Sequence, residues 1–426
     1  MHSIKDQTKK IGELGIIALA FVIPAFYPLD LPVLAIIGIC LIIQGGGKWW
    51  KPFIRSPRIF LPIAFYLYMF AGFFFSHNFG EGMSSVSEKL AFLLYPLFIG
   101  CRPGLDKGLL HKARRAFILS LCIFLGAALL YAIGDMLITH NDMVRLGEGD
   151  YKKWSSFGLT RLFNDWHPTY VSDSCNLAIA FLLSRLILEK DQPLSRILRR
   201  WSFAAFLFLS VCIFLLYSVT GIVIYCCLLL YFGFTWLRQW RLPFIANLGI
   251  GLLLAGLLAG FLYANPLGWE KIDKLKAKEW KATDNYTERN VLTMRMAKWD
   301  TYLGIFRQHP IFGTTTGDIK DIRHAAYTKN GYADLALHNY NAHDQYVEIL
   351  TVYGIAGFIL FIAMLWTAFR SRQDNPLILP FLIISLIAFT TESILERQQG
   401  LHFFMFFYSF LTLRILTPAK TAPLTS

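Results

Sequence analysis

Apolar stretches long enough, or nearly long enough, to cross a bilayer recur along most of this 426-residue chain. A helix needs about 20 predominantly apolar residues to span the hydrocarbon core of a membrane. The stretches lie at roughly 12–29, 31–47, 59–75, 88–101, 116–138, 168–188, 201–218, 221–237, 243–263, 345–369, 376–392 and 399–416. This pattern predicts an all-α integral membrane protein with about 12 transmembrane helices.

The longest apolar run extends from Trp201 to Trp236 and is nearly twice the length that one helix needs. Ser218, Thr220 and Gly221 lie at its middle, and residues of these types commonly interrupt a helix. We therefore interpret the run as two membrane helices joined by a tight turn.

The positions of the Lys and Arg residues decide what the net charge of +13 means. With the N-terminus inside, 23 of the 41 Lys and Arg residues fall in segments predicted to be cytoplasmic, and 6 fall in the short outer segments. The other 12 lie between Ala264 and Asp344, and long translocated loops do not follow the charge bias. The bias places both termini in the cytoplasm. No basic domain with interleaved aromatic residues is present, so nucleic acid is not an expected partner.

Two outer segments are long enough to carry chemistry, 139–167 and 264–344. We therefore divide the chain into three parts. Residues 1–263 hold the first nine membrane helices, short loops and the outer loop at 139–167. Residues 264–344 form a large outer loop that caps the bundle. Residues 345–426 hold the last three membrane helices and a cytoplasmic tail.

The outer cap contains an amphipathic helix that ends before Pro310. Its apolar stripe recurs at helical spacing, in Leu292, Met296, Trp299, Leu303 and Phe306. Arg295 projects from the flank of this stripe, where a guanidinium needs an anionic partner. The partner is either a carboxylate such as Asp300 or Glu288, in a structural ion pair, or a bound phosphate group.

A second helix is expected to begin near His343 and to continue into the tenth membrane pass. Asn341 or Asp344 could cap it. His343 would then lie at a helix N-terminus at the outer membrane boundary, where the helix dipole favours the neutral imidazole that acts as a base.

The ionisable residues of the outer boundary suit displacement of a diphosphate by a hydroxyl. Arginines stabilise the charge that develops on the leaving group, and a histidine takes the proton of the hydroxyl. His338 and His343 are five residues apart, and even with Asp344 and Glu348 they form no recognisable metal-binding pattern. All seven cysteines lie in or beside predicted membrane helices, so neither a disulfide framework nor a cysteine metal site is indicated. Glu392, Glu396 and Arg397 are further ionisable groups near the last passes.

Four stretches stand out as candidate signatures. One is Asn341-Ala342-His343-Asp344-Gln345-Tyr346 with Gly354-Ile355-Ala356-Gly357, and a second is Arg295 and Trp299 before His309-Pro310-Ile311-Phe312-Gly313 and Gly317-Asp318. The others are His167-Pro168-Thr169-Tyr170 and Glu392-Ser393-Ile394-Leu395-Glu396-Arg397. They resemble signatures of the O-antigen ligase and O-antigen polymerase superfamily, in which an Ala-His-Asn-x-Tyr-Leu stretch leads into a helix with Gly-Ile-x-Gly, and an Arg and a Trp precede a Pro-x-x-Gly-x-Gly turn.

The resemblance covers the layout of passes over nearly the whole chain and implies a GT-C-like membrane glycosyltransferase that needs neither a metal nor a cofactor. Such an enzyme takes a glycan from undecaprenyl diphosphate and passes it to an acceptor hydroxyl, on the periplasmic side of the bacterial inner membrane. Carried over by position, His343 is the catalytic histidine and Arg295 binds the diphosphate. Further candidates for substrate binding are His338, His167, Tyr170, Glu396 and Arg397.

The chain departs from the family pattern in two places. Asp344 follows the motif histidine where the family usually has Asn, and it could either hold an imidazolium or cap the helix. Many members carry a basic residue after a Ser between the seventh and eighth passes, whereas this chain reads Ser218-Val219-Thr220-Gly221. Arg161 is the first candidate to replace that basic residue, and Arg289 is the second.

The preferred interpretation is a ligase-like transferase whose acceptor is the lipid A core or a comparable hydroxyl. A polymerase of the same superfamily would use another lipid-linked repeat unit as its acceptor and the same donor chemistry. A non-catalytic polysaccharide or lipid transporter is the third alternative. It would be expected to show internal repeats and charges in the middle of membrane helices, and this sequence shows few of either. Membrane lipids are expected partners in every case.

Overall fold

The computed structural model describes residues 2–25, 27–139, 167–189, 195–216, 218–239 and 291–416, together with Gly249 and Gly256. Helices dominate these ranges, as the hydropathy pattern predicts. The first seven are α1 (His2–Val22), α2 (Asp30–Gly45), α3 (Lys51–Arg55), α4 (Pro57–Phe73), α5 (Phe79–Glu88), α6 (Ala91–Tyr95) and α7 (Lys107–Thr139). Short turns of 3-10 helix lie at Tyr27–Leu29 and Gly46–Lys48, and a π-helical turn lies at Pro96–Gly100.

The remaining helices include the outer cap and the last membrane passes. They are α8 (Pro168–Ile187), α9 (Arg196–Leu215), α10 (Val219–Arg238), α11 (Val291–Gln308), α12 (Ile319–Lys329), α13 (Ala333–His338), α14 (Gln345–Arg370), α15 (Ile378–Phe389) and α16 (Gln398–Leu411). Turns of 3-10 helix lie at Ser371–Gln373 and Ile394–Glu396. Two short strands, β1 (Leu105–Asp106) and β2 (Ile415–Leu416), pair in parallel and tie the start of α7 to the end of α16.

Six helices in the described ranges are long and apolar enough to cross a membrane. They lie at Asp30–Lys48, Lys107–Gly134, Pro168–Ile187, Arg196–Leu215, Val219–Arg238 and Gln345–Gln373, and two shorter apolar helices lie at Pro57–Phe73 and Ile378–Phe389. The chain is therefore an all-α membrane protein. The total of twelve passes stays a prediction, and the expected ninth pass at 243–263 falls almost wholly outside the described residues.

Two of the apolar runs show how local sequence shapes the helices. The expected fourth pass at 88–101 is not one helix, because the backbone changes to a π-helical turn at Pro96. Proline has no N–H group and its ring displaces the carbonyl one turn earlier, which breaks a regular helix. The run from Trp201 to Trp236 divides into α9 and α10 as predicted, and Ser218 caps α10 by accepting a hydrogen bond from the Gly221 N–H at 3.2 Å.

Large apolar side chains stay exposed on the outward faces of the membrane helices. Leu119, Ile123 and Leu130 on α7 are all more than half exposed, as are Phe203 and Val211 on α9. Exposure of this much apolar surface is unfavourable in water but costs nothing against lipid tails. These faces fit contact with a bilayer.

The helix that follows His343 is interrupted at Gly354, where the backbone turns to a φ of +64°. The loop after α11 lies against this break. Four backbone hydrogen bonds join them: Thr314 to Thr351 at 3.2 Å, Thr315 to Val352 at 3.0 Å, Ile355 to Pro310 at 2.9 Å and Ala356 to Ile311 at 3.1 Å. A side chain at Gly354 or at Gly313 would collide with the backbone of the opposite segment. The glycines of two sequence motifs thus allow one loop to dock into a broken helix.

Replacing Gly354 with alanine should lower the stability of the protein by about 1–3 kcal/mol or more. Alanine disfavours a positive φ, and its methyl group would collide with the Ile311 carbonyl. Gly304→Ala is a matched control, because Gly304 is in α11 with open space around it and alanine favours a helix. Thermal unfolding in detergent measures both variants. Equal shifts of Tm would contradict the docking role of Gly354.

Candidate active site

His343 lies in the turn that leads into α14, with an unusual backbone conformation. Its φ is +48°, and its N–H donates to the Asn341 side-chain oxygen at 3.2 Å. Asp344 is the N-cap of α14 and accepts a hydrogen bond from the Val347 N–H at 2.9 Å. A non-glycine residue in the left-handed region is rare, and such strain concentrates at functional sites. The structure thus shows Asp344 as the helix cap rather than as the partner of an imidazolium.

Glu392 joins the two residues that the sequence put forward as base and anion binder. Its carboxylate lies 2.9 Å from His343 Nδ1 and 3.8 Å from Arg295 Nη2. Arg295 also donates to the Thr391 carbonyl at 2.8 Å. If Nδ1 carries the proton of the hydrogen bond to Glu392, Nε2 of His343 is the ring nitrogen that can accept a proton.

The environment of Glu392 keeps its carboxylate ionised. Burial raises the pKa of Glu392, but the hydrogen bond from His343 and the nearby positive groups lower it by more. The pKa is therefore below the usual value of a glutamate. An ionised Glu392 can orient the imidazole and stabilise an imidazolium.

The carboxylate that pairs with Arg295 is not one of those that the sequence suggested. Asp300 does not form this ion pair, and Glu288 lies outside the described residues. The carboxylate comes instead from the loop between α15 and α16. A guanidinium has five N–H donors, and the contacts to Glu392 and Thr391 both use Nη2, so other donors remain for a ligand.

Tyr340 forms one wall beside His343, with 6.0 Å between the ring centroids. The ring of His338 lies 5.3 Å from the ring of Tyr340, and His338 Nε2 lies 3.5 Å from Asp334. The ammonium of Lys298 lies 4.3 Å from the centroid of the Tyr340 ring. Burial lowers the pKa of Lys298 to about 8. Sequence reasoning missed Lys298, although it lies one helical turn after Arg295.

His167 and Tyr170 lie at the start of α8, with 5.4 Å between their ring centroids. His167 is the N-cap of α8, and its Nδ1 accepts from the Thr169 N–H at 3.4 Å. The protein packed around this imidazole lowers the pKa of His167, and the Glu392 carboxylate opposes that effect. The electrostatic interaction with Glu392 shows that the start of α8 borders the candidate site.

Glu348, at the start of α14, connects the two loops of the site by hydrogen bonds. This fully buried carboxylate accepts from the Ala342 N–H at 2.8 Å and from the Ser393 hydroxyl at 3.4 Å. Gln345 adds a second tie by accepting from the Leu395 N–H at 2.7 Å. The loops that carry His343 and Glu392 are therefore fixed relative to each other.

Residues 204–362 match the family model described as O-antigen ligase. This match supports an assignment of the chain to the O-antigen ligase and polymerase superfamily. This family implies a glycosyltransferase-like enzyme, and together with the membrane helices it points to a bacterial membrane protein of lipopolysaccharide biosynthesis. None of the curated proteins compared with the chain matches it.

The segment that matches the superfamily contains Arg295 and His343, whereas Glu392 and His167 lie outside it. The step at which many members of the superfamily carry a basic residue also borders the site. The Thr220 hydroxyl donates to the Thr391 hydroxyl at 2.9 Å, and Thr391 precedes Glu392. Val219, which occupies that step in this chain, is half exposed. Arg161 and Arg289, the two candidates to replace the basic residue, lie outside the described residues.

Glu396 and Arg397 are placed differently from each other. Glu396 forms an ion pair with the buried Lys89 at 2.8 Å, so its carboxylate faces the end of α5. Arg397 is the exposed N-cap residue of α16, and no carboxylate of the described residues pairs with it. Arg397 can therefore bind an anionic ligand, whereas Glu396 is engaged with Lys89. Within the same ranges no three His, Cys, Asp or Glu side chains form a group that could hold a metal ion.

Proposed function

We propose that this enzyme is an O-antigen ligase-like transferase. It moves a polysaccharide from undecaprenyl diphosphate to a hydroxyl on the lipid A core or a comparable acceptor. The observation that supports this proposal best is the single Glu392 carboxylate that contacts both His343 and Arg295. A base and an anion binder in one cluster are what transfer from a diphosphate to a hydroxyl requires.

In the proposed reaction, the acceptor oxygen forms a bond to the anomeric carbon of the donor glycan as the bond from that carbon to the diphosphate oxygen breaks. His343 Nε2 takes the proton of the acceptor hydroxyl. Glu392 holds the resulting imidazolium through Nδ1. Arg295 binds the diphosphate and stabilises the charge that develops on it, with the exposed Arg397 as a second cation.

The proposed chemistry needs no metal ion, because guanidinium groups meet the charge of the leaving group. The test is product analysis with purified enzyme and a polyprenyl-diphosphate glycan in the presence of EDTA. The acceptor is either the lipid A core or a second lipid-linked unit. We expect glycan on the lipid A core. Extended lipid-linked glycan alone would instead indicate a polymerase, and loss of activity in EDTA that one divalent cation restores would contradict metal independence.

We propose further that the site lies on the periplasmic side of the inner membrane, with both termini in the cytoplasm. The distribution of Lys and Arg supports this orientation. Ala325 is an exposed residue of α12 in the cap and suits a single cysteine. An impermeant thiol reagent should label Ala325→Cys in intact spheroplasts. Labelling only after the inner membrane is lysed would reverse the orientation.

Lys298 should make donor binding depend on pH above neutrality. It loses its proton as the pH rises through about 8, which removes a positive charge beside Arg295. We expect the KM for the donor to rise by about fivefold across that range, for an electrostatic contribution on the order of 1 kcal/mol. Lys298→Arg keeps its charge throughout this range, so the rise in KM should be absent in that variant. An equal rise in KM in the wild type and in Lys298→Arg would assign the pH dependence to another group.

A further inference from the structure

A cavity of about 570 Å³ lies between α7, α8 and α9, away from His343. On α8 it is lined by Phe181, Leu182 and Arg185, near the opposite end of the helix from His167. A helix rises by about 1.5 Å per residue, so roughly 20–25 Å separates this lining from the candidate active site. The volume falls in the range of about 300–1,000 Å³ that is common for ligand sites.

The walls of this cavity, which we call the basic groove, are mainly apolar. They include Ile118 and Leu119 from α7, Leu182 from α8 and Phe208 from α9. Leu119 is more than half exposed, and Gly126 has open space where a side chain would begin. An apolar groove on the lipid-facing side of membrane helices suits an acyl chain.

One end of the basic groove carries positive charge. His111, Arg114, Arg115 and Arg185 line it. Glu189 pairs with both Arg114 and Arg185, the latter at 2.8 Å. Two of the three arginines therefore share one carboxylate. Arg115 is exposed, and no carboxylate in the described ranges pairs with it. The excess positive charge is complementary to a phosphate.

The same end of the groove has the features of a membrane interface. Trp201 lines it and is 70% exposed. Indole side chains concentrate at the level of lipid headgroups. Arg196, Arg199 and Arg200 lie in the turns of α9 that precede Trp201. In the proposed orientation this is the cytoplasmic face, where anionic lipids attract basic residues.

The geometry points to a binding site for an anionic glycerophospholipid of the cytoplasmic leaflet in the basic groove. Arg115 and its neighbouring basic side chains bind the phosphate, and an acyl chain lies between α7 and α9. The lipid-linked glycan donor is a different ligand, because the proposed transfer takes place at the other end of α8. The bound lipid bridges three helices and should stabilise their packing.

The test uses the full-length enzyme, stripped of lipid in detergent and then mixed with phosphatidylglycerol, phosphatidylcholine or glycerol 3-phosphate. Native mass spectrometry measures the bound lipid, and thermal unfolding measures stability. We expect phosphatidylglycerol to be retained and to raise Tm, phosphatidylcholine to be retained less, and glycerol 3-phosphate not to compete. One basic residue near a membrane surface contributes about 1 kcal/mol, so Arg115→Gln should weaken retention roughly fivefold.

Two matched controls separate the groove from the general charge of the surface. Lys112→Gln removes a neighbouring exposed charge of α7 that does not line the groove, and it should not change retention. Gly126→Phe fills the groove and should displace the lipid, whereas Gly134→Phe changes the same helix outside the lining. Equal retention of phosphatidylcholine, equal effects of Arg115→Gln and Lys112→Gln, or full retention in Gly126→Phe would overturn the proposal. Competition by glycerol 3-phosphate would show a phosphate site without an acyl chain and would also overturn it.

Discussion

Replacing His343 with asparagine should reduce glycan transfer by about 10²–10⁴-fold, the usual contribution of a general base. Asparagine tolerates the positive φ of this position, so the turn before α14 should keep its shape. Its amide can also donate to Glu392 as His343 Nδ1 does. What asparagine lacks is a nitrogen in the place of Nε2 that accepts a proton. The variant therefore removes the proposed chemistry and keeps the local structure.

The measurements for this variant are the transfer rate under saturating donor and, separately, the affinity for the donor. Donor affinity should change little, because Arg295 is untouched. His338→Asn is a matched comparison, since His338 is another outer histidine that contacts Tyr340. If His343→Asn transfers glycan at a near-normal rate, the proton goes elsewhere and His343 has only a structural role.

Replacing Glu392 with glutamine should reduce transfer by about 10²-fold or more, because a neutral amide neither fixes the proton on Nδ1 nor stabilises the imidazolium. The change also leaves Arg295 without its carboxylate partner. Both effects act on the charged transition state. Thermal unfolding checks that the loop between α15 and α16 remains in place, and Glu392→Asp should recover part of the activity.

The pH profile distinguishes Glu392 from groups that titrate near neutrality. Its pKa is lowered below the ordinary glutamate value of about 4.3, so it stays ionised throughout the range above that value. Any loss of wild-type activity between about pH 7 and pH 5 therefore cannot come from protonation of Glu392. A Glu392→Gln variant with normal activity and a normal profile would remove the carboxylate from the mechanism.

Local patterns in the sequence predicted the local structure well. The spacing of apolar residues predicted α11 and its end before Pro310, and the cap of α14 at Asp344 was one of two alternatives. Hydropathy alone did not show the break at Pro96, since the residues on both sides of it are equally apolar. The sequence indicates His343 from its position at a helix N-terminus and Arg295 from its position on the flank of an apolar stripe, and the family resemblance supports both.

The partners of these residues could not be predicted, because they depend on which distant loops pack together. Glu392 follows His343 by 49 residues and contacts it only through the folded arrangement of α14, α15 and α16. The sequence suggests Glu348 only as a possible metal ligand, yet its carboxylate accepts hydrogen bonds from the Ala342 N–H and the Ser393 hydroxyl. A sequence shows that a buried acid needs a partner but does not show which one.

The break at Gly354 divides α14 into an outer segment that begins beside His343 and a longer segment at residues 355–370. The loop that follows α11, the helix of Arg295, bonds to Thr351 and Val352 of the outer segment and to Ile355 and Ala356 of the longer one. A thicker or thinner membrane can tilt a membrane helix. A tilt of the longer segment would therefore act on the loop that connects the surroundings of His343 to the helix of Arg295, so catalysis should depend on lipid chain length.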